Sequence, residues 1–366
     1  MANEELYGEL NPVKPPHKKR RRKRKSLGQK LADLFPQKGD SAFEVIRKLI
    51  FMLSLLVFII CLVLIGKYFW ENHQNAVVVQ EVKEIHDKVA ETKPEEEKKQ
   101  EIVEERYTLL ESAKALLAVN PDVVGYLNIP NEERISYPVL QRRNETDGNL
   151  YYLDKNINLE YAKAGSIFMD YRDYFDDMIE NLDENGNPDG TYRRAADNSD
   201  NLVIYGHNMH DFSMFGALKY YINEEGYYEN HAIIELESNF IQYKYKVFGM
   251  MVVDVEDTTE TQFEYWNVID FKDKTEFYDY VNEIKRRTIR LTDVDVKYGD
   301  KLLTLSTCSG AVDNGRLVVC ARLLREGEDL YEGCTSTPNP NVKWSNSYYR
   351  WHKNTYDPDA EFIPYG

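Results

Sequence analysis

The distribution of apolar and polar positions divides the chain into an uncharged run, a charged segment and a long region of short apolar runs. Leu49–Gly66 (LIFMLSLLVFIICLVLIG) contains 18 residues without a charge, and aromatic residues 68–70 extend it beyond Lys67. Because a helix rises about 1.5 Å per residue, about 20 such residues span the ~30 Å core of a membrane. We therefore predict a transmembrane signal-anchor helix at residues 49–70. A cleavable signal peptide is the alternative, but the run lacks an obvious small-residue cleavage site.

The segment after the apolar run is charged and has little apolar surface to bury. Residues 71–106 are rich in Glu and Lys and are interrupted by Pro94. This composition predicts an extracellular stalk that is partly helical or disordered. From Tyr107 the pattern changes to that of a folded domain, which we place at residues 107–366.

The folded region consists mostly of short apolar runs separated by turn residues, which is typical of β-strands. One clear helix is predicted at 273–290, where Asp273 and Glu276 have the spacing of a capping box. The fold class is therefore mainly β, with a closed or nearly closed sheet and peripheral helices. The predicted strands are 123–129, 135–141, 165–169, 202–205, 232–236, 243–253, 302–307 and a last strand that begins at 316.

The formal net charge of −16 hides two parts of opposite charge. Residues 1–48 carry 13 Lys and Arg against 6 Asp and Glu, whereas the remainder carries 33 against 56. The basic run His17–Lys25 precedes the apolar helix, which predicts a cytoplasmic segment at 1–48 and an extracellular bulk. The same run resembles a nuclear or nucleic-acid-binding patch. Contact with anionic lipid headgroups is the simpler role beside a membrane helix.

Three of the four cysteines lie outside the predicted membrane helix. Because three is odd, at least one of Cys308, Cys320 and Cys334 is free or pairs between chains. The sequence does not decide whether Cys320 and Cys334 form a disulfide. Cys308 follows the apolar run 302–307, and Arg316 begins the next run eight residues later. A turn between two strands brings Arg316 back beside Cys308. The pair is either an incidental feature of a β-hairpin or a cysteine nucleophile beside a cation.

Candidate general acids and bases are few, and His207 is the strongest because it follows the short apolar strand 202–205. His210 completes a His-x-x-His spacing that raises zinc as an alternative, but no further ligand pattern accompanies it. Residues 183–192 (DENGNPDGTY) resemble a calcium loop only superficially, because the glycine and the last acidic ligand are misplaced. We therefore predict no metal and no cofactor, and an exposed, turn-rich insertion at 183–192.

Together these motifs resemble those of the class B sortases, which are membrane-anchored bacterial cysteine transpeptidases. The resemblance rests on NPDVVGYLNIP at the start of the domain, AGSIFMDYR, IYGHNM, SMFGALKYY and TLSTC with Arg316 eight residues on. It implies a closed eight-stranded sortase-type β-barrel, with the helix at 273–290 just before the cysteine strand.

The resemblance also implies a role for each candidate residue. Cys308 would be the nucleophile, His207 the general acid and base, and Arg316 the clamp for the oxyanion or the substrate. Tyr205 and Ser306 would contact the substrate. Some relatives carry an acidic residue soon after the cysteine, but here Ser-Gly-Ala follows, so no catalytic carboxylate is assigned.

The implied reaction is cleavage of a C-terminal sorting signal of secreted proteins after Thr, through a thioacyl intermediate, and joining to a cell-wall peptide amine. The implied partners are proteins with such a signal, a cell-wall peptide or lipid-linked precursor, and membrane lipid, but no nucleic acid. The implied location is the cell membrane of a Gram-positive-type bacterium. The alternatives are a pilin-polymerising sortase, which the lack of a second apolar helix disfavours, an inactive tethered binding module and a general cysteine protease.

Overall fold

The structure, a computed structural model, describes residue 26 and residues 32–90 and 106–366. The basic run His17–Lys25 and residues 91–105 of the predicted stalk lie outside the described residues. The chain divides into two compact units, Met1–Tyr68 and Phe69–Gly366.

The first helix, α1 (Ala42–Ala90), contains the predicted membrane span. Among the described residues it is the one helix that is long and apolar enough to cross a membrane. All but one of residues 49–65 are exposed, so apolar side chains surround the helix on every side, as contact with lipid requires. In the second unit, residues 69–90 pack on the folded domain through Val82, which is 4% exposed.

The folded domain is built mainly from short β-strands, and turns separate them as the sequence pattern predicts. The strands are β1 (Val123–Asn128), β2 (Ser136–Leu140), β3 (Ile167–Met169), β4 (Met178–Leu182), β5 (Pro188–Arg194), β6 (Asn201–Tyr205), β7 (Ile233–Ser238), β8 (Gln242–Asp254), β9 (Arg290–Thr292), β10 (Leu302–Ser309), β11 (Gly315–Leu323) and β12 (Ser336–Pro338).

Eight of these strands close into a barrel in the order β1-β2-β3-β6-β10-β11-β8-β7. The β6–β10 and β2–β3 neighbours are parallel, and the other neighbours are antiparallel. Buried apolar residues from all eight strands form one core. The predicted closed eight-stranded barrel is thus confirmed, and β10, which carries Cys308, lies between β6 and β11.

Two small two-stranded sheets lie outside the barrel. One is the β4–β5 hairpin, in a region where the sequence predicted only an exposed, turn-rich insertion. In its turn, the Asp183 carboxylate accepts backbone hydrogen bonds from Asn185 and Asn187, each at 2.8 Å. The acidic side chain that resembled a calcium ligand therefore stabilises the turn itself. The other sheet pairs β9 with β12, which are too short to show a periodic pattern.

Short helices flank the barrel: α2 (Glu111–Val119), α3 (Gly148–Tyr151), α4 (Tyr220–Asn223), α5 (Tyr227–Asn230), α6 (Lys274–Arg287) and α7 (Asn346–Tyr349). Helix α6 is the one that the sequence predicted before the cysteine strand. The Asp273 carboxylate caps it by accepting from the backbone N–H groups of Thr275 and Glu276 at 2.8 and 3.0 Å. The Glu276 carboxylate accepts from the Lys272 N–H instead of the Asp273 N–H, so the capping box forms only in part.

Helix α6 covers the outer face of β8 and β11. A Cβ atom at Gly249 on β8 would lie 2.5 Å from Ile284 Cγ2, so the helix packs directly on the strand. Cys320, which is opposite Gly249 on β11, is 1% exposed, and Val318 is fully buried. Strand alternation, taken alone, predicts that only one face of β11, the face of Leu317, Val319 and Ala321, lies against a core. That expectation was incomplete, because α6 buries the other face as well.

Two buried cations share one carboxylate where β8 and β11 pair. Lys246 and Arg322 are cross-strand neighbours, and each side chain is at most 1% exposed. Lys246 Nζ donates to Glu328 Oε1 at 2.9 Å, and Arg322 Nη1 donates to Oε2 at 2.6 Å. The hydrogen bonds from Arg322 hold the pKa of Glu328 well below its usual range. The carboxylate therefore stays ionised and balances the buried positive charge.

We expect Glu328→Gln to lower the free energy of unfolding by about 3–5 kcal/mol at pH 7, because it removes the carboxylate that two buried cations share. Among the described residues, only Asp300, 3.9 Å from Arg322, then remains as an acidic partner of the pair. Urea denaturation of the full chain in detergent, followed by tryptophan fluorescence, measures this loss. Because folding lowers the pKa of Glu328, its contribution is present at neutral pH and is lost as the pH falls, so the variant and the wild type should converge in acid. Glu326→Gln, at an exposed position, is the control. Equal losses in the two variants would contradict the prediction.

Candidate active site

Cys308 and Arg316 are brought together by the register of β10 and β11. A short turn joins the two strands, and these residues pair directly across the antiparallel ladder. Cys308 is exposed near the end of β10, whereas residues 302–307 of the same strand are buried. Arg316 Nη1 donates to the Gly315 carbonyl oxygen at 3.1 Å, and no carboxylate of the described residues pairs with the guanidinium. An accessible thiol and a cation without an acidic partner therefore extend from adjacent positions.

His207 reaches the same site because β6 runs parallel to β10. The last residue of β6 pairs with Ser306, and the Gly206 N–H donates to the Ser306 carbonyl oxygen at 3.1 Å. These contacts hold the chain after β6 beside the end of β10. Asn208 Nδ2 then donates to the Cys308 carbonyl oxygen at 2.7 Å and ties the His207 loop to the cysteine.

The His207 ring is oriented by a backbone carbonyl. Its Nε2 lies 2.7 Å from the Leu153 carbonyl oxygen. Since a carbonyl oxygen can only accept, Nε2 carries a hydrogen and Nδ1 is the ring nitrogen left to exchange a proton. In the described part of the chain, no hydrogen bond joins His207 to the Cys308 thiol. The two groups therefore line the same cavity without a direct hydrogen bond.

The predicted site residues all line one open cavity of about 300 Å³: His207, Cys308, Arg316, Tyr205 and Ser306. Several other wall residues of the cavity were missed by sequence reasoning, because they lie in short or irregular segments where neither strand nor helix periodicity appears. The one signal that the sequence offers for them is an adjacent aromatic pair in the loop before α6. The missed residues that matter below are Asn149, Leu153, Tyr265 and Trp266.

Comparisons with known proteins agree with this geometry. A family model described as "Sortase domain" matches residues 179–324. Sortase B of Listeria monocytogenes is 32% identical over 262 residues, which cover 71% of this chain and 89% of that protein. The chain belongs to the sortase family. It is therefore a sortase-type cysteine transpeptidase, and the class B resemblance of its motifs is confirmed.

Solved structures of sortase B share the fold of this sortase. The Staphylococcus aureus sortase B–substrate complex is 25% identical with a TM-score of 0.53, over 70% of this chain and 100% of that one. A Bacillus anthracis protein described as similar to sortase B is 30% identical with a TM-score of 0.51. That match covers 69% of this chain and 96% of the other.

The two predicted substrate contacts of this sortase have internal partners for their hydroxyl groups. The Tyr205 hydroxyl donates to Asp170 Oδ2 at 2.9 Å, and burial together with the Asp170 charge raises the pKa of Tyr205. Ser306 Oγ lies 2.6 Å from the Tyr265 hydroxyl, and Ser306 is 3% exposed. Burial raises the pKa of Tyr265 to about 12. Contact of Tyr205 and Ser306 with a substrate stays a prediction.

The His207–His210 spacing does not build a metal site in the described residues. No group of three or more His, Cys, Asp or Glu side chains there is placed to hold an ion. His210 is exposed, and the His207 ring contacts a backbone carbonyl instead. The zinc alternative therefore receives no support from the structure.

A larger cavity, of about 420 Å³, lies beside the end of α1. It is lined mainly by polar and charged residues, among them Lys83, Asn131 and Glu237, and includes no cysteine. The smaller cavity, in contrast, is lined by Cys308.

All four cysteines of this sortase are free. The Cys320–Cys334 disulfide, which the sequence left open, is therefore not formed. Burial raises the pKa of Cys320 to about 12, so its thiol stays protonated and is a poor nucleophile. Burial also raises the pKa of Cys334. Cys308 is the exposed thiol of the folded domain.

Cys320→Ala is expected to retain the rate of sorting-signal cleavage within about twofold, because a buried protonated thiol contributes packing and not chemistry. We expect a loss of about 1 kcal/mol in the free energy of unfolding from the lost contacts with α6. Peptide cleavage assays and urea denaturation measure the two quantities. Loss of cleavage in a variant that is still folded would show that Cys320 takes part in the reaction.

Proposed function

We propose that this sortase cleaves the C-terminal sorting signal of secreted proteins after Thr and joins the new carboxyl end to a cell-wall peptide amine. The observation that carries the proposal is that Cys308, His207 and Arg316 line one open cavity. Cys308 and Arg316 project from paired strands, and His207 follows the end of β6, so rigid elements support the reacting groups. Each residue has a chemical role that its surroundings support.

Cys308 is the proposed nucleophile. Its thiolate sulfur attacks the carbonyl carbon of the Thr residue, a C–S bond forms, and the carbonyl oxygen becomes an oxyanion. When the carbonyl reforms, the C–N bond breaks and the acyl group remains on sulfur as a thioacyl intermediate. The exposed position of Cys308 allows access to a peptide, in contrast to the buried Cys320 and Cys334.

His207 is the proposed general acid and base. With Nε2 bonded to the Leu153 carbonyl, Nδ1 donates a proton to the departing amine. When the acceptor amine attacks the thioester, Nδ1 takes up the proton that the amine loses, and the Cys308 thiolate leaves. The proton given in the first step is thus recovered in the second. The positive charge of the protonated ring also stabilises the thiolate.

Arg316 is the proposed clamp for the oxyanion or for a substrate carbonyl. Its guanidinium is a fixed cation with several N–H donors and does not lose its proton, so it cannot compete with His207 for proton transfer. No carboxylate among the described residues neutralises it. Its charge is therefore available to a developing oxyanion beside Cys308.

Tyr205 and Ser306 are proposed to contact the substrate at the wall of the cavity. Because the Tyr205 hydroxyl is bonded to Asp170, Tyr205 offers its ring face to the peptide. The proposed partners are secreted proteins with a sorting signal and, as acceptor, a cell-wall peptide or a lipid-linked precursor. The sortase B of Staphylococcus aureus has been solved in complex with its substrate, which supports a peptide in the corresponding cavity.

We further propose the arrangement of the chain in the membrane. Residues 49–70 anchor it, the basic segment 1–48 lies in the cytoplasm against anionic lipid, and the stalk 71–106 carries the catalytic domain 107–366 outside the cell. The support is the uncharged and almost entirely exposed run of residues 49–66 in α1 and the excess of Lys and Arg before it.

The test is product analysis with the full chain in detergent. A library of Thr-containing sorting-signal peptides is incubated with triglycine, with a cell-wall stem peptide or with a lysine-containing pilin peptide. We expect cleavage after Thr and a new amide with the stem peptide or triglycine. Release of the acid alone in the presence of every amine would identify a hydrolase. An amide with the pilin lysine only would favour pilus assembly, and no cleavage of any peptide would refute the proposal.

A further inference from the structure

A bidentate ion pair adjoins the Cys308 cavity directly after β3. Arg172 Nε donates to Asp170 Oδ1 at 2.8 Å, and Arg172 Nη2 donates to Asp170 Oδ2 at 2.9 Å. The Arg172 backbone N–H donates to the same carboxylate at 3.1 Å. Asp170 is fully buried. Burial opposes ionisation, but the hydrogen bonds from Arg172 outweigh it and lower the pKa of Asp170, so the pair stays charged.

The Asp170 carboxylate holds two residues that line the cavity. Asn149 Nδ2, from α3, donates to Oδ2 at 2.8 Å, and the Tyr205 hydroxyl, from β6, donates to the same oxygen at 2.9 Å. The Asn149 side chain is fixed from its other end as well, because its oxygen accepts from the Tyr171 N–H at 2.9 Å. One carboxylate oxygen thus sets the separation of two cavity walls.

The Arg172 guanidinium holds a third wall. Its Nη2 donates to the Trp266 carbonyl oxygen at 2.5 Å, and its Nη1 donates to Asn267 Oδ1 at 3.1 Å. Trp266 lies in the segment 265–267, between β8 and α6, and lines the cavity. This segment belongs to no barrel strand, so the guanidinium supplies a link that strand pairing does not.

We infer that Asp170 and Arg172 are positioning residues that hold Asn149, Tyr205 and Trp266 at the separation that the peptide substrate requires. The inference rests on the proposed peptide-cleaving function. A buried ion pair by itself adds little net stability, whereas bidentate, charge-assisted hydrogen bonds define geometry closely. Asp170 and Arg172 also make hydrogen bonds outside the ion pair. These further bonds hold residues that form walls of the cavity. A shift of about 1 Å in such walls is enough to cost about 100-fold in reaction rate.

The test compares the wild type with Arg172→Lys in the full chain in detergent. Lysine keeps the charge beside Asp170 but has no planar fork to reach the Trp266 carbonyl and Asn267 at the same time. We expect KM to rise at least about tenfold for the sorting-signal peptide that the wild type cleaves fastest. The rate of Cys308 alkylation by iodoacetamide and its pH profile should not change, because the pair does not touch the thiol.

The matched control is Arg143→Lys. Arg143 also forms a bidentate ion pair, with Asp177, and donates to the Asp173 carbonyl at 3.0 Å, but it does not line the cavity. Its variant should show a similar change in Tm and an unchanged KM. Asn267→Ala removes the 3.1 Å bond from Arg172, together with the 2.6 Å bond that Asn267 Nδ2 donates to Glu264, but leaves the bond from Arg172 to the Trp266 carbonyl. This milder second variant should raise KM by a smaller factor.

Hydrogen exchange at residues 265–267 provides a readout that needs no substrate. We expect faster exchange in Arg172→Lys than in the wild type or Arg143→Lys. Wild-type KM and wild-type exchange in Arg172→Lys would overturn the inference. A rise of KM in Arg143→Lys equal to that in Arg172→Lys, or a shifted alkylation profile, would do the same. If the wild type cleaves no peptide, the proposed function fails, while the exchange rates still decide whether Arg172 positions this wall.

Discussion

Cys308→Ala is expected to abolish cleavage of a sorting-signal peptide, with no product above the uncatalysed background. The proposed acyl transfer requires a thiolate that forms a C–S bond, and neither Cys320 nor Cys334 can replace it because both are buried. The domain should stay folded. An exposed thiol at a strand end leaves no cavity when it is removed, so the free energy of unfolding should change by no more than about 0.5 kcal/mol.

The measurement is mass spectrometry of the peptide products with the full chain in detergent, together with urea denaturation of the same preparation. Cys320→Ala is the matched control, since it removes a thiol from the neighbouring strand and should remain active. Wild-type activity in Cys308→Ala would refute the assignment of the nucleophile. If the variant were inactive because it is unfolded, the result would not bear on the nucleophile. The denaturation curve distinguishes an inactive folded variant from an unfolded one.

Arg316→Gln is expected to lower kcat about 100- to 1000-fold, with a smaller effect on KM. Glutamine keeps a hydrogen-bond donor and much of the side-chain length but removes the charge. A charge that acts on the oxyanion stabilises the transition state more than the bound substrate, so its loss appears mainly in kcat. If Arg316 instead held the substrate carbonyl, KM would rise by a comparable factor. The ratio of the two effects therefore distinguishes the two roles left open for this residue.

Steady-state kinetics with the best peptide of the library measures both constants. Arg193→Gln is the control, because Arg193 is exposed on the β4–β5 hairpin and does not line the cavity. Its kinetic constants should match those of the wild type. An Arg316→Gln enzyme within about threefold of the wild type in both constants would remove Arg316 from the proposed reaction.

The barrel could be predicted from the sequence because its strands carry strong local signals. The apolar runs at 202–205 and 302–307 became β6 and β10 with only small changes at their ends. The β4–β5 hairpin was not predicted, since none of its residues is buried and most are exposed, so it lacks a buried face that alternation could reveal. The burial of Cys320 was also missed, because it depends on where α6 packs and not on β11 itself.

The active site was predictable to different degrees for different residues. The spacing of Cys308 and Arg316 predicted their pairing, since a short turn between two antiparallel strands leaves little choice of register. The place of His207 required the parallel pairing of β6 with β10, which no local pattern encodes, and only the family resemblance supplied it. Asn149 and Trp266 were missed because their positions depend on hydrogen bonds to Asp170 and Arg172, which sequence periodicity does not report.

The strand that carries Cys308 has little free edge. β10 pairs with β11 along its whole length and with β6 as far as Ser306, and the carbonyl of Cys308 accepts from Asn208. A peptide therefore cannot pair with β10 over its length as an added strand, which is how many peptide-binding domains obtain affinity without regard to sequence. We therefore expect recognition to come mainly from side chains and loops around the cavity. A new signal preference can then arise by substitution in those loops while the barrel remains unchanged.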